Sequence, residues 1–307
     1  MQLFPLRLIP DTTKINFIKY RYINYFVSAF IVISTILLLL TKGLNLGIDF
    51  AGGIIIEAKI SDKDFSVGNL RENLSDLNVK DVSIYNSSSP QDVVINVGAT
   101  EKEGNQQKIV ADIKQMMLEK YKNVDFRKID YVGPKVGSEL IKNGFIATIM
   151  AFIGILIYLW NRFDLEYSIG AILGLIHDAI ATMGFYSLTG LEFNLTSIAA
   201  ILTIIGYSVN DAVVIYDRIR DNKHKYFKTP FPEIINRSIN DTLSRTTLTV
   251  ATTLLANLSL ILFGGEVVKS FSFAMFFGIL IGTYSSIFIS APVLLNLRFT
   301  KAQTVNS

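Results

Sequence analysis

Apolar residues in this chain fall into long blocks rather than short alternating runs. The first block, 22–41, carries no charged side chain, and about 20 apolar residues are what a helix needs to cross the hydrocarbon core of a bilayer. A cleaved leader has a shorter apolar core and small residues at a processing site. Here the block runs out through Leu37-Leu38-Leu39-Leu40-Thr41-Lys42 instead, which predicts a retained anchor. A long polar stretch, 42–142, follows, and then five more apolar blocks at 143–160, 167–189, 194–216, 246–263 and 270–297. The last is long enough to tilt, or to be trimmed at Pro292. The pattern predicts six membrane helices with both termini on one side.

The polar stretch changes period several times. Ile54-Ile55-Ile56-Glu57-Ala58-Lys59-Ile60 reads as a strand. Val67, Leu70, Leu74 and Leu77 then recur at helical spacing, with Ser66 placed to cap that helix. Val82-Ser83-Ile84-Tyr85 and Val93-Val94-Ile95-Asn96-Val97 are two strands parted by a serine-rich turn ending at Pro90. Ile109, Ile113, Met116, Met117 and Tyr121 mark a second helix, and 124–132 a closing strand. The order β-α-β-β-α-β is that of a ferredoxin-like domain. The fold class predicted is therefore an α-helical integral membrane protein with an α+β ferredoxin-like domain after its first span. The stretch contains no histidine, nucleophile–base pairing or phosphate loop, so it reads as a binding or lever domain and not as an enzyme.

Composition sharpens this picture. Half of the 307 residues are hydrophobic, and the mean hydropathy is +0.40. A length of this order suggests about two domains. The net charge is +3, with the basic residues at block ends and in the polar stretch instead of in a nucleic-acid-like patch. No cysteine is present, which removes disulfides and thiolate metal sites.

Lysine and arginine in short loops set orientation. Arg7, Lys14, Lys19 and Arg21 precede the first block. Arg162, the run from Arg218 to Arg245, and Arg298 and Lys301 of the tail lie on the same side. The opposite short loops offer only Lys269. This predicts a cytoplasmic leader 1–21, a first span 22–41, a periplasmic domain 42–142, spans two to six within 143–297 with a cytoplasmic loop at 217–245, and a cytoplasmic tail 298–307. Within that loop Phe231, Ile234 and Ile235 are expected at the membrane interface.

Ionisable residues inside spans are costly and point to function. Asp211 lies in a continuous apolar run about 9 Å from the polar end at Asp217. Tyr207 and Ser208 share its helical face. A carboxyl group held between burial, which disfavours charge, and a nearby cation, which favours it, can take up and release a proton. The competing reading is a hydrogen bond that glues helices together. Arg245 opens the fifth span. It is either an ordinary positive-inside anchor or, with Thr249, Thr252, Thr253 and Ala256 continuing its face, a bundle-facing partner for Asp211. Asp241, four residues earlier, is a local partner for it. His177 and Asp178 sit about 15 Å into the third span and read as supporting groups for a proton path or as inter-helix hydrogen bonds.

Several segments resemble the SecF family of protein-export membrane proteins. They are Gly47-Ile48-Asp49-Phe50-Ala51-Gly52-Gly53, Val132-Gly133-Pro134-Lys135-Val136-Gly137-Ser138-Glu139-Leu140, Gly206-Tyr207-Ser208-Val209-Asn210-Asp211 with Val213 to Arg220, Asn240-Asp241-Thr242-Leu243-Ser244-Arg245-Thr246, and Leu262-Phe263-Gly264-Gly265. The resemblance covers nearly the whole chain. It implies a bacterial inner-membrane subunit that pairs with SecD in a twelve-span assembly like the resistance-nodulation-division exporters. It further implies use of the proton motive force to draw preproteins outward late in translocation, beyond the SecYEG channel and SecA, with YajC as an associated subunit. No cofactor or metal is implied beyond the proton gradient. By position, Asp211 and Arg245 match the family's intramembrane acid and arginine, with Tyr207, Asn210, His177 and Asp178 around them. Asp49, Gly52, Gly53, Gly133 and Pro134 are expected to couple domain and membrane, the competing reading being that the glycines and Pro134 simply permit turns. A small-solute exporter of that superfamily and a purely structural subunit are the competing classes.

Overall fold

The computed structural model describes residues 10, 13–62, 65–75, 82–86, 89, 91–98 and 105–297. The expectations on Arg7, Leu77, Pro90, Arg298, Lys301 and the tail lie outside them.

A short 3₁₀ turn, Ile18–Tyr20, leads into the first long helix, α1 (Arg21–Thr41), and a one-turn helix, α2 (Ile48–Ala51), follows. The next elements are β1 (Gly53–Ile60), α3 (Val67–Ser75), β2 (Val82–Asn86), β3 (Asp92–Gly98), α4 (Asn105–Lys120) and β4 (Val124–Val132). The four strands form one antiparallel sheet in the order β2-β3-β1-β4. Burial along β1 alternates, so Ile54, Ile56, Ala58 and Ile60 face the helices while Ile55, Glu57 and Lys59 are only half-buried. Against that face pack Leu70 and Leu74 of α3 and Ile113 and Met117 of α4. Ser66 Oγ accepts from Asn69 N at 3.1 Å and starts α3.

The bundle continues with α5 (Pro134–Arg162), α6 (Leu165–Thr189), α7 (Leu195–Lys225), α8 (Phe231–Phe263) and α9 (Gly265–Ser285), the last extended through a π turn at Ser286–Ser290 and on to Leu297. Among the described residues six helices, α1 among them, are long and apolar enough to cross a membrane. The buried residues lie mainly on α6, α7 and α9, which form the centre, while α1 and α5 present exposed apolar faces. Pro292, which has no N–H to donate, falls just after the π turn. The helix absorbs it with a widened turn instead of ending there.

The helices outrun the apolar blocks. Hydropathy registers only the stretch in contact with hydrocarbon, whereas backbone hydrogen bonding carries α7 on to Lys225 and starts α8 at Phe231. The expected loop 217–245 is therefore two helical extensions joined by a short turn at 226–230. Ile219 and Asn222 of α7 are buried where Ile235, Ser238 and Ile239 of α8 are also buried, and Asn222 Nδ2 donates to Ser238 Oγ at 3.0 Å. This corrects the interfacial placement of Ile234 and Ile235, which are 4% and 0% exposed within the bundle core. Phe231 packs against the same core.

Candidate functional site

Asp211 sits midway along α7, 2% exposed. Among the described residues no group hydrogen-bonds its buried Oδ2. Tyr207, one turn earlier, donates across to Thr253 Oγ1 of α8 at 3.4 Å. Arg245 of α8 is exposed, and it forms no ion pair with Asp211 within 4.0 Å. Asn210, Thr252 and Ala256 are also exposed, so the stripe expected to face this chain's own bundle lies largely uncovered. The hydroxyls of Thr249, Thr252 and Thr253 donate back to carbonyls of their own helix, which satisfies their donors without a neighbouring helix. Asp241 is not the partner of Arg245. Its Oδ2 accepts from Arg218 at 2.8 Å and Asn222 at 3.0 Å, because the extension of α7 lies alongside α8 and brings them closer than the next helical turn.

Asp178 of α6 is 0% exposed and fully engaged. Its Oδ2 accepts from Ser208 Oγ of α7 at 2.6 Å and from Ser285 Oγ of α9 at 2.7 Å, and its Oδ1 lies 3.1 Å from His177 Nδ1. One carboxylate thus ties three helices together, beside the π turn. His177 Nε2 is buried with no partner among the described residues. Its ring lies 6.2 Å from that of Tyr284, whose hydroxyl donates to Asn24 O of α1 at 3.0 Å and meets Ser28 Oγ at 3.2 Å. Ser208, expected on the face of Asp211, points to Asp178 instead. Ser285 escaped the sequence reading. Its signal was a pair of adjacent serines, Ser285-Ser286, inside an apolar span.

A third group joins the sheet domain to the bundle. Asp49 Oδ2 accepts from Leu195 N at 3.0 Å, the first residue of α7, which satisfies one of the open donors of that helix end. Leu46 pairs with Phe193 as a parallel bridge, through Gly47 N to Phe193 O at 2.9 Å and Phe193 N to Asn45 O at 2.7 Å. Gly52 and Gly53 adopt φ of 76° and 143°, and a Cβ at Gly53 would collide with Val97 O. Only glycine fits that turn into β1. Gly133 caps α5 and Pro134 is in its first turn, so β4 runs into α5 without a linker. A Cβ on Gly137 would come within 2.6 Å of Phe50 O, which locks α2 onto α5. Glu192, in the α6–α7 loop, was not anticipated. Burial pushes its carboxyl above the ordinary carboxylate range and the Asp49 charge pushes it the same way, while a hydrogen bond with Asn194 opposes both. Among the described residues no cluster of three or more His, Asp or Glu side chains converges to hold a metal.

Two family profiles match the chain: "Protein export membrane protein SecD/SecF, C-terminal" over residues 112–300 and "SecD/SecF GG Motif" over residues 37–63. The second contains Asp49, Gly52 and Gly53. Protein translocase subunit SecF of Rickettsia bellii is 47% identical over 305 residues, covering 98% of this chain and 100% of the relative. That of Rickettsia prowazekii is 46% identical, covering 98% and 97%. Among solved structures, SecDF of Thermus thermophilus, described as a translocon-associated membrane protein, superposes with a TM-score of 0.82 at 32% identity. That match covers 96% of this chain and 40% of the SecDF chain. A SecDF structure in a super-membrane-facing form gives a TM-score of 0.71 at 32% identity. The chain therefore spans about two-fifths of the SecDF chains it matches.

Proposed function

The chain belongs to the SecF family of protein-export membrane proteins, and from that premise we propose that it works with SecD as one half of a proton-driven device for late preprotein translocation. The other half is the part of SecDF that this chain does not span. Arg245, Asn210 and Thr252, exposed on one chain, are polar groups at span depth that lipid would not solvate, and a SecD bundle laid over them completes the site. SecYEG, SecA and YajC are met through that complex. The protein resides in the bacterial inner membrane with both termini cytoplasmic and a ferredoxin-like domain in the periplasm, a topology supported by the basic loops and by the strand order β2-β3-β1-β4.

The observation that carries the mechanism is the buried, unpartnered carboxylate oxygen of Asp211 on the helix whose first turn is capped from the domain's lead-in. When ionised, Asp211 draws Arg245 in. Protonation removes the attraction, and the present arrangement without an ion pair fits that half of the cycle. Tyr207 and Asn210 line the approach, and His177 and Asp178 brace it. Movement of α7 reaches the domain through Asp49 and the Gly52–Gly53 turn, and returns to α5 through Gly133 and Pro134. Each charge carried inward is driven by about 2.3 kcal/mol per 100 mV. Proteoliposomes or inverted vesicles bearing Asp211→Asn should assemble the complex normally and lose export stimulated by the proton gradient. Full gradient-dependent export by an assembled Asp211→Asn complex would overturn the proposal.

A further inference from the structure

The N-terminal ends of α1 and α8 enclose a cleft of 780 Å³ that the export mechanism does not use. One wall is an extended strap before α1, stitched to α8 by two asparagines. Asn240 receives Ile15 N at 2.9 Å and donates to Ile15 O at 2.8 Å, while Asn236 receives Phe17 N at 2.7 Å. The strap is thus a fixed surface of the bundle.

Lys14, Lys19, Arg21 and Arg237 line the cleft, and none of them forms an ion pair with a described residue. Of the two acids there, Glu233 and Asp241, the second is taken up by Arg218 at 2.8 Å. A neighbouring cleft of 440 Å³ is different, because its Arg162 and Arg220 share Asp217 at 2.7 and 2.9 Å. Lys14, Lys19, Arg21 and Arg237 therefore leave the first cleft with positive charge that no described acid pairs. It also holds buried polar atoms with no partner among the described residues. The Arg21 guanidinium lies 4.6 Å from the Tyr22 ring centroid and donates through Nη2 to Tyr22 Oη at 3.0 Å. Its Nε is left buried and unmatched, as is Thr13 Oγ1. Buried donors are normally satisfied, and cationic ones are matched best by an anionic oxygen group.

Depth decides which anion. Arg21 directly precedes the uncharged apolar run of α1, and Tyr20 and Tyr22 are exposed beside it, as aromatic side chains are at the headgroup level. Below them α1 exposes Phe26, Phe30 and Ile33. Basic pockets between membrane helices at this level hold phosphate-bearing headgroups. We propose that this cleft binds the phosphodiester headgroup of an anionic phospholipid, with Arg21, Lys14 and Thr13 on the phosphate and the acyl chains along α1.

The test uses the full chain purified with its SecD partner, stripped of lipid, titrated with phosphatidylglycerol or phosphatidylcholine, and read by native mass spectrometry. Phosphatidylglycerol should be retained in preference to phosphatidylcholine. The pair Lys14→Gln with Arg21→Gln should weaken that retention by roughly thirtyfold, at about fivefold per basic residue. Thr13→Val keeps charge and topology and should weaken it to a smaller extent, whereas Arg162→Gln in the neighbouring cleft should leave it unchanged. Equal retention of the two lipids, or retention unaffected by both the double substitution and Thr13→Val, would overturn the proposal. So would displacement of phosphatidylglycerol by an equal concentration of inorganic phosphate, which would make this a site for free anions.

Discussion

Two buried aspartates stand on adjacent helices of this bundle, and their surroundings are opposite. Asp178 receives two serine hydroxyls from two other helices and touches the imidazole of His177. Asp211, 2% exposed, has a buried oxygen that nothing among the described residues satisfies. A carboxylate held by short hydrogen bonds from separate helices fixes those helices relative to one another. One without such partners is free to change its protonation and its neighbours. Burial alone therefore does not distinguish the two aspartates; their hydrogen-bond partners do.

Asparagine replacement separates the two roles. At 211 it removes the ionisable group, so the proton-dependent step should be lost outright, while the new amide donors in a buried site should lower stability in detergent by no more than roughly 1–3 kcal/mol and leave the complex assembled. At 178 the amide oxygen still accepts from Ser208 and Ser285, so export by Asp178→Asn should be largely kept. Equal loss at the two positions would break the contrast.

Asp178→Ala goes further, because it leaves buried hydroxyls unmatched. It should destabilise the bundle by roughly 1–3 kcal/mol, measurable as a lowered unfolding midpoint in detergent. Ser208→Ala and Ser285→Ala each remove one inter-helix hydrogen bond and should cost about 0.6 kcal/mol apiece.

The joint between domain and bundle gives subtler effects. Asp49→Ala removes the acceptor at the start of α7 and should cost about 1 kcal/mol. Export should fall more than proton flux, since the motor is intact and its linkage is weakened. Glu192 adds a pH dependence. Its folded carboxyl is raised chiefly by burial and then by Asp49, so the folded joint holds the proton more tightly than the unfolded chain does. That stabilisation is complete below the ordinary glutamate range and is lost as pH rises through the raised value. Hydrogen-exchange protection over 188–195, taken relative to the intrinsic rate at each pH, should fall in the wild type as pH rises through the raised value, and Glu192→Gln should flatten the response.

Much of this was legible in the chain, for identifiable reasons. Apolar blocks mark spans because bilayer thickness sets their length, and the strands and helices of the domain followed from periods of two and near four. Asp211 stood out because a carboxylate inside Ile204-Ile205 and Val213-Val214 has no cheap explanation. The partners were harder to read. Ser208 and Ser285 converge on Asp178 only through the packing of α6, α7 and α9, which no local pattern encodes. Asp241 turned to Arg218 because α7 continues past its apolar stretch, a continuation driven by backbone hydrogen bonds to which hydropathy is blind. Glu192 carries no local signal, because the joint it sits in is formed by Leu46 and Phe193, far apart in the chain.

The most direct test is proton flux through the SecD-containing complex reconstituted in liposomes under an imposed pH gradient, comparing wild type with Asp211→Asn. Loss of flux in an intact Asp211→Asn complex, with Asp178→Asn still conducting, is the predicted result. Undiminished flux through Asp211→Asn would contradict the account, place the carrier elsewhere, and leave Asp211 a structural residue.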